Sequence, residues 1–90
     1  MGKTHKEQAV LVKEIEAAKR LVAIGARYHH YKGEDKIYTV LGIGIMEEDN
    51  ELYVMYRAEY GEKLTFLRPV NVWLEAVEWQ GEKLPRFTKL

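Results

Sequence analysis

The chain has 90 residues, which suits one domain, and at this length only about 60% of the surface exposed by the unfolded chain is buried on folding, so a second independent core does not fit. Hydrophobic residues make up 47% and charged residues 31%, a globular rather than a disordered balance, and no apolar run approaches the roughly 20 residues that a bilayer demands. The absence of cysteine and serine removes disulfides, thiol ligands and the Ser- and Cys-based hydrolases, and a formal net charge of +0 argues against a dedicated nucleic-acid binder with its basic excess.

The charge is unevenly spread. Residues 1–36 hold eight basic against five acidic side chains, +3, and the remainder six against nine, −3. A solvated mixed surface accommodates this, as would head-to-tail association or a one-sided anionic ligand. Met1 to Lys6 leads into mixed charged and apolar residues without the h-region of a signal peptide, and Lys6 stands where a myristoylation pattern has Ser or Thr. A cytoplasmic location without membrane attachment is expected.

In chain order, Thr4-His5-Lys6-Glu7 has capping-box spacing, which predicts a helix beginning there. Leu11, Ile15, Ala18 and Val22 recur at four, three and four as one apolar stripe, with Gly25 as a left-handed stop. Val10, Val12, Leu21 and Ile24 widen that stripe, so the helix either packs fully on the rest of the domain or meets a second copy. The period then changes to two. Ile37 to Met46 and Leu52 to Tyr60 are rich in β-branched and aromatic residues and read as a hairpin around the acidic turn Glu47-Glu48-Asp49-Asn50. In its second strand Leu52, Val54, Tyr56, Ala58 and Tyr60 share a core face, leaving Tyr53, Met55, Arg57 and Glu59 on a wet one. Lys63 to Arg68 makes another strand that Pro69 ends, Val70 to Leu74 a helical turn, and Val77 to Trp79 a strand before a turn at Gln80-Gly81. The fold class is therefore mainly β with one N-terminal helix over residues 1–25, and residues 26–90 form a small SH3-like barrel.

Several motifs carry a resemblance. Tyr28-x-His30-Tyr31-Lys32-Gly33, Tyr38-x-Val40-Leu41-Gly42, Val54-x-Tyr56-Arg57-Ala58-x-Tyr60-Gly61, Arg68-Pro69, Glu75-x-Val77 and Pro85-Arg86-Phe87 stand in the order of the bacterial and phage family known as domain of unknown function 1653. The chain resembles that family over about Arg27 to Phe87. The resemblance implies a small SH3-type barrel and no reaction. The chain departs from the family pattern at Ile45-Met46-Glu47-Glu48-Asp49-Asn50, where an Arg-His-Ser-Glu-Thr-like turn is usual, in a longer turn over Gly33 to Tyr38, and at Trp73, where phenylalanine is common.

The stretch Arg27 to Gly33, RYHHYKG, poses the question of chemistry. Adjacent His29 and His30 on a strand point to opposite faces and cannot chelate one ion, so no metal and no cofactor are expected. Gly42-Ile43-Gly44 lies inside an apolar strand and reads as a bulge rather than a phosphate cradle. His30 with Glu59 or Glu75 would serve acid–base catalysis only if they met, and the simpler reading is a half-buried histidine bonded to backbone. Arg57, Arg68 and Arg86 beside tyrosines suit carboxylates, phosphates or stacked bases, with the structural alternative that Arg57 or Arg68 binds Glu75. Tyr38 and Tyr56 read as core, Tyr28, Tyr31 and Tyr53 as surface contacts. The leading reading is a non-enzymatic binding module whose face, built from Tyr28, His30, Lys32, Arg57 and Arg68 with Arg86 nearby, takes a nucleotide, a nucleic-acid segment or an acidic peptide. The alternative is a homo-oligomer or protein-interaction scaffold driven by the residue 1–24 helix, extended in one version to sequestration of nucleotides between subunits.

Overall fold

The computed structural model describes residues 5–90. Thr4, and with it the capping box, lies outside the described residues. Helix α1 runs from Gln8 to Leu21, with Glu7 at its N-cap making no side-chain cap bond. Its start is set by a tertiary contact: the Lys6 amide donates to Asn50 Oδ1 at 2.6 Å, and the Glu7 carbonyl then accepts from Val10 and Leu11. At the other end the chain leaves the helix at Val22 in an extended conformation. Gly25 is therefore not the helix cap expected of it. Its φ of +87° instead turns the chain into the first strand, where its amide donates to the Val40 carbonyl at 2.8 Å. Of the predicted stripe, Ala18 and Val22 are buried and Leu11 and Ile15 half-buried.

Seven strands follow: β1 (Arg27–His30), β2 (Gly33–Ile45), β3 (Leu52–Ala58), β4 (Thr65–Pro69), β5 (Ala76–Trp79), β6 (Glu82–Pro85) and β7 (Phe87–Lys89), with a short helix α2 (Val70–Trp73) after β4. The segment Gly33 to Tyr38, expected as a turn, is the first half of β2, paired with β1 as far as Tyr28 opposite Tyr38. Antiparallel pairing gives one five-stranded sheet in the order β4-β3-β2-β1-β7 and a separate β5-β6 hairpin. That hairpin turns on Gln80 and Gly81, whose φ values of 54° and 84° match the two-residue turns that suit strand twist.

The sheet is curled but open, since β4 and β7 are its two ends and each pairs on one side only. The predicted bulge is present: the β2–β3 register shifts between Val40 and Gly42, leaving Leu41 unpaired. Curling brings Phe87 of β7 within 5.7 Å of the Tyr56 ring of β3, although β1 and β2 separate their strands in the sheet. Trp73 from α2 fills the hollow so made, stacked on Phe87 at 3.7 Å and 9° and edge-on to Tyr28 and Tyr56. Val22, Val40 and Val54, all fully buried, complete the core. Among the described residues no helix is long and apolar enough to cross a membrane.

Candidate functional site

Strand alternation decides which side chains meet on the concave face. Arg68 pairs with Val54, and Phe66 with Tyr56, so both β4 side chains point the same way as the core face of β3. Arg68 Nε donates to the Tyr56 hydroxyl at 3.2 Å and its guanidinium carbon lies 5.6 Å from the Phe87 ring centre. No carboxylate pairs with it among the described residues, and its two terminal nitrogens have no protein acceptor there. Three features of a binding cation thus coincide: a charge, a fixed stem and unspent donors.

His30 borders the same place. Its ring stands edge-on to Phe87 at 5.2 Å and tilted against Tyr31 at 4.4 Å. The Lys32 amide donates to His30 Nδ1 at 3.2 Å, which puts the proton of the neutral ring on Nε2. Burial, then the positive charges of Arg68, Lys32, Arg86 and His29, hold its pKa below the usual 6.5. The Lys32 ammonium stands 5.8 Å from the Tyr31 ring centre, exposed at the rim.

On the Ala58 side of Phe66 the concave face opens into a hollow of about 130 Å³, bordered by Ala58, Tyr60, Leu64 and Phe66. The small Ala58 side chain makes the space, and Phe66, 42% exposed, forms a wall. The Tyr38 and Tyr60 hydroxyls are hydrogen-bonded to each other, and burial followed by that bond raises the Tyr38 pKa. Lys36 sets its ammonium 4.8 Å from the Tyr60 ring centre. Lys36, Tyr60 and Phe66 are absent from the sequence-derived face. The signal for Phe66 was its place two residues before Arg68, which on a strand means the same side.

Other predicted members of the face are placed elsewhere. Tyr28, expected at the surface, is 6% exposed, and its hydroxyl accepts from the Ala23 amide at 2.9 Å because the helix exit lies above it. Arg57 projects from the opposite side of β3 and closes on Glu59 at 2.9 Å, where Thr39 also donates to the same carboxylate oxygen. Arg86 donates through Nε to the Val72 carbonyl at 3.2 Å and through its terminal nitrogen to Glu75 at 2.9 Å, so the partner of Glu75 is Arg86, not Arg57 or Arg68. His30 hydrogen-bonds to neither Glu59 nor Glu75, and among the described residues no three His, Asp or Glu side chains converge. Asn50, in the acidic turn, is buried with φ 59°, its amide oxygen holding the start of α1.

A larger concavity of about 410 Å³ lies between α1 and α2, lined by Ala17, Leu21, Leu52, Val70 and Leu74 with the paired Lys6 and Glu14 at its edge. None of the residues predicted for the binding face borders it.

The family model described as protein of unknown function (DUF1653) matches residues 26–89. The crystal structure of a DUF1653 protein from Bordetella bronchiseptica is similar, at 29% sequence identity and a TM-score of 0.66, over 73% of this chain and 85% of that one. No curated protein matches the chain. The match begins where the sheet begins and leaves α1 outside it. With its strands, its α2 and its Arg68-Pro69 and Pro85-Arg86-Phe87 segments all inside the matched region, the chain belongs to the DUF1653 family.

Proposed function

We propose that this protein is a non-enzymatic binding module that takes an anionic ligand on its concave aromatic face, with Arg68 as the anchoring cation. The observation that carries the reading is the guanidinium of Arg68, held by the Tyr56 hydroxyl and left with unspent donors beside His30 and Phe87. A phosphate or carboxylate accepted there gains charge-assisted hydrogen bonds, and the exposed faces of Phe66 and Tyr60 suit a planar group. Lys32 and Lys36 add positive charge at the rim. Nucleotides, oligonucleotides and acidic peptides all offer such an anion. Titration with a nucleoside triphosphate, oligothymidylate and a polyglutamate peptide at low and high salt is the test. Binding weakens with salt and falls by about tenfold or more in Arg68→Ala, while the melting temperature stays close to that of the wild type. Loss of folding in Arg68→Ala, or binding indifferent to that substitution, removes the reading.

Self-association through α1 is the second reading, supported by the exposure of Val10, Val12, Ile24 and above all Leu21, which is 64% exposed beside the α1–α2 groove. Sedimentation of wild type against Leu21→Glu decides it, since a wild-type monomer at high concentration ends the idea.

A further inference from the structure

The geometry points to β4 as a strand-addition site: an extended peptide of another protein pairs with its free edge, placing an apolar side chain in the Ala58–Phe66 hollow and an acidic one on Arg68. This rests on the anion-binding reading above and narrows it to one kind of partner. The backbone supplies the first argument. The Ala58 amide donates to the Leu64 carbonyl at 3.0 Å, and hydrogen-bonded pairs recur at every second residue of an antiparallel ladder. With Tyr56 opposite Phe66 and Val54 opposite Arg68, those β4 residues spend their backbone groups on β3. Thr65 and Leu67 therefore turn theirs outward, and neither has a backbone partner on that side among the described residues.

An edge of this kind is normally blunted by charge, a bulge, Pro or extreme shortness. The opposite edge is: β7 is three residues long and includes Lys89. On β4 the charge and the proline fall together at one end, Arg68-Pro69, while over Thr65 to Leu67 the register with β3 is unbroken, Leu67 is 58% exposed, and Leu64 and Phe66 are exposed as well. Pro69 has no N–H to offer and marks where the added strand stops. Side-chain recognition supplies the second argument. Leu64, Phe66 and Arg68 alternate onto the concave face, so a paired peptide presents every second side chain first to the hollow and then to the guanidinium. The predicted ligand is an extended segment with Asp or Glu two to four residues from Val, Ile or Leu.

The experiment is an array of peptides of about ten residues with that spacing, followed by calorimetric titration of the tightest binder into the full chain. Binding is expected to fall about tenfold or more in Arg68→Ala and in Leu67→Pro, which deletes an outward N–H without touching the β3 ladder, and to stay within about twofold in Arg57→Ala. Because Leu67→Pro also restricts the backbone of β4, the second arm alters the probe alone: N-methylation of alternate peptide residues abolishes binding in one parity and spares it in the other. Equal effects of both parities overturn strand addition. Oligothymidylate binding through Arg68 with no peptide bound also overturns it, yet leaves the anion reading standing. Failure of every anionic probe removes both.

Discussion

Two arginines next to prolines, Arg68 before Pro69 and Arg86 after Pro85, the first near the Phe87 ring and the second its neighbour in sequence, end in opposite states. Arg86 is spent: its guanidinium bridges the Val72 carbonyl of α2 and the Glu75 carboxylate, tying the strand that follows β6 to the end of the short helix. Arg68 has one bond, to the Tyr56 hydroxyl, and lies in the half-exposed concave face. The comparison shows that an arginine among aromatic rings is not in itself a site. What separates lock from anchor is the count of donors satisfied by the protein, which depends on neighbours distant in sequence.

The largest expected effect comes from removing the Phe87 ring itself. Phe87→Ala leaves a cavity against Trp73 and costs about 3–5 kcal/mol, a large share of the stability of so small a domain, measured by urea denaturation. Arg86→Ala comes next, at about 1 kcal/mol, because it removes the guanidinium bonds to the Val72 carbonyl and the Glu75 carboxylate while Val72 keeps the Glu75 amide as a donor, and it should leave ligand affinity per folded molecule unchanged. If Arg86→Ala instead weakens binding without a change in the melting curve, the contrast between the two arginines collapses.

A third, smaller effect is pH-dependent. The folded-state pKa of His30 lies below 6.5, so between that lowered value and 6.5 the unfolded chain binds the extra proton. The contribution is fully present above about pH 6.5 and is lost as pH falls through the lowered value; His30→Gln should flatten this part of the stability profile. An anion bound beside His30 reverses the preference of the ring, so affinity should rise as the pH drops through the same window, checked by titration at several pH values. The smallest effect is that of Arg57→Ala, whose exposed pair with Glu59 should leave both melting temperature and binding within error.

Much of this contrast was legible beforehand. Alternation along Leu52 to Ala58 put Val54, Tyr56 and Ala58 on the inner face and Arg57 on the outer, and the glycines at 42 and 44 marked the bulge beside Leu41. The Tyr-His and Pro-Arg-Phe motifs were enough to recognise the family. The strands β6 and β7 were missed because Glu82 to Leu90 has neither a long apolar alternation nor β-branched enrichment, and their place is fixed by partners in β5 and β1. Tyr28 was misplaced for a related reason: its strand looks polar, yet the helix exit at Ala23 and the Trp73 ring cover it. Nor does any local pattern show that Asn50, more than forty residues away, holds the backbone at Lys6 just before α1.

The order of residues along the chain thus settles whatever repeats over short distances: the strand faces, the bulge, the turn at Gly81, the stripe on α1. These are matters of local period and allowed dihedral angles, which neighbours in sequence control. Which arginine is consumed, which tyrosine is covered and which sheet edge is left open were decided only when the sheet curled and brought β7 and α2 over β3. Hydrogen-bond satisfaction and burial depend on contacts between distant segments, and no local pattern encodes them.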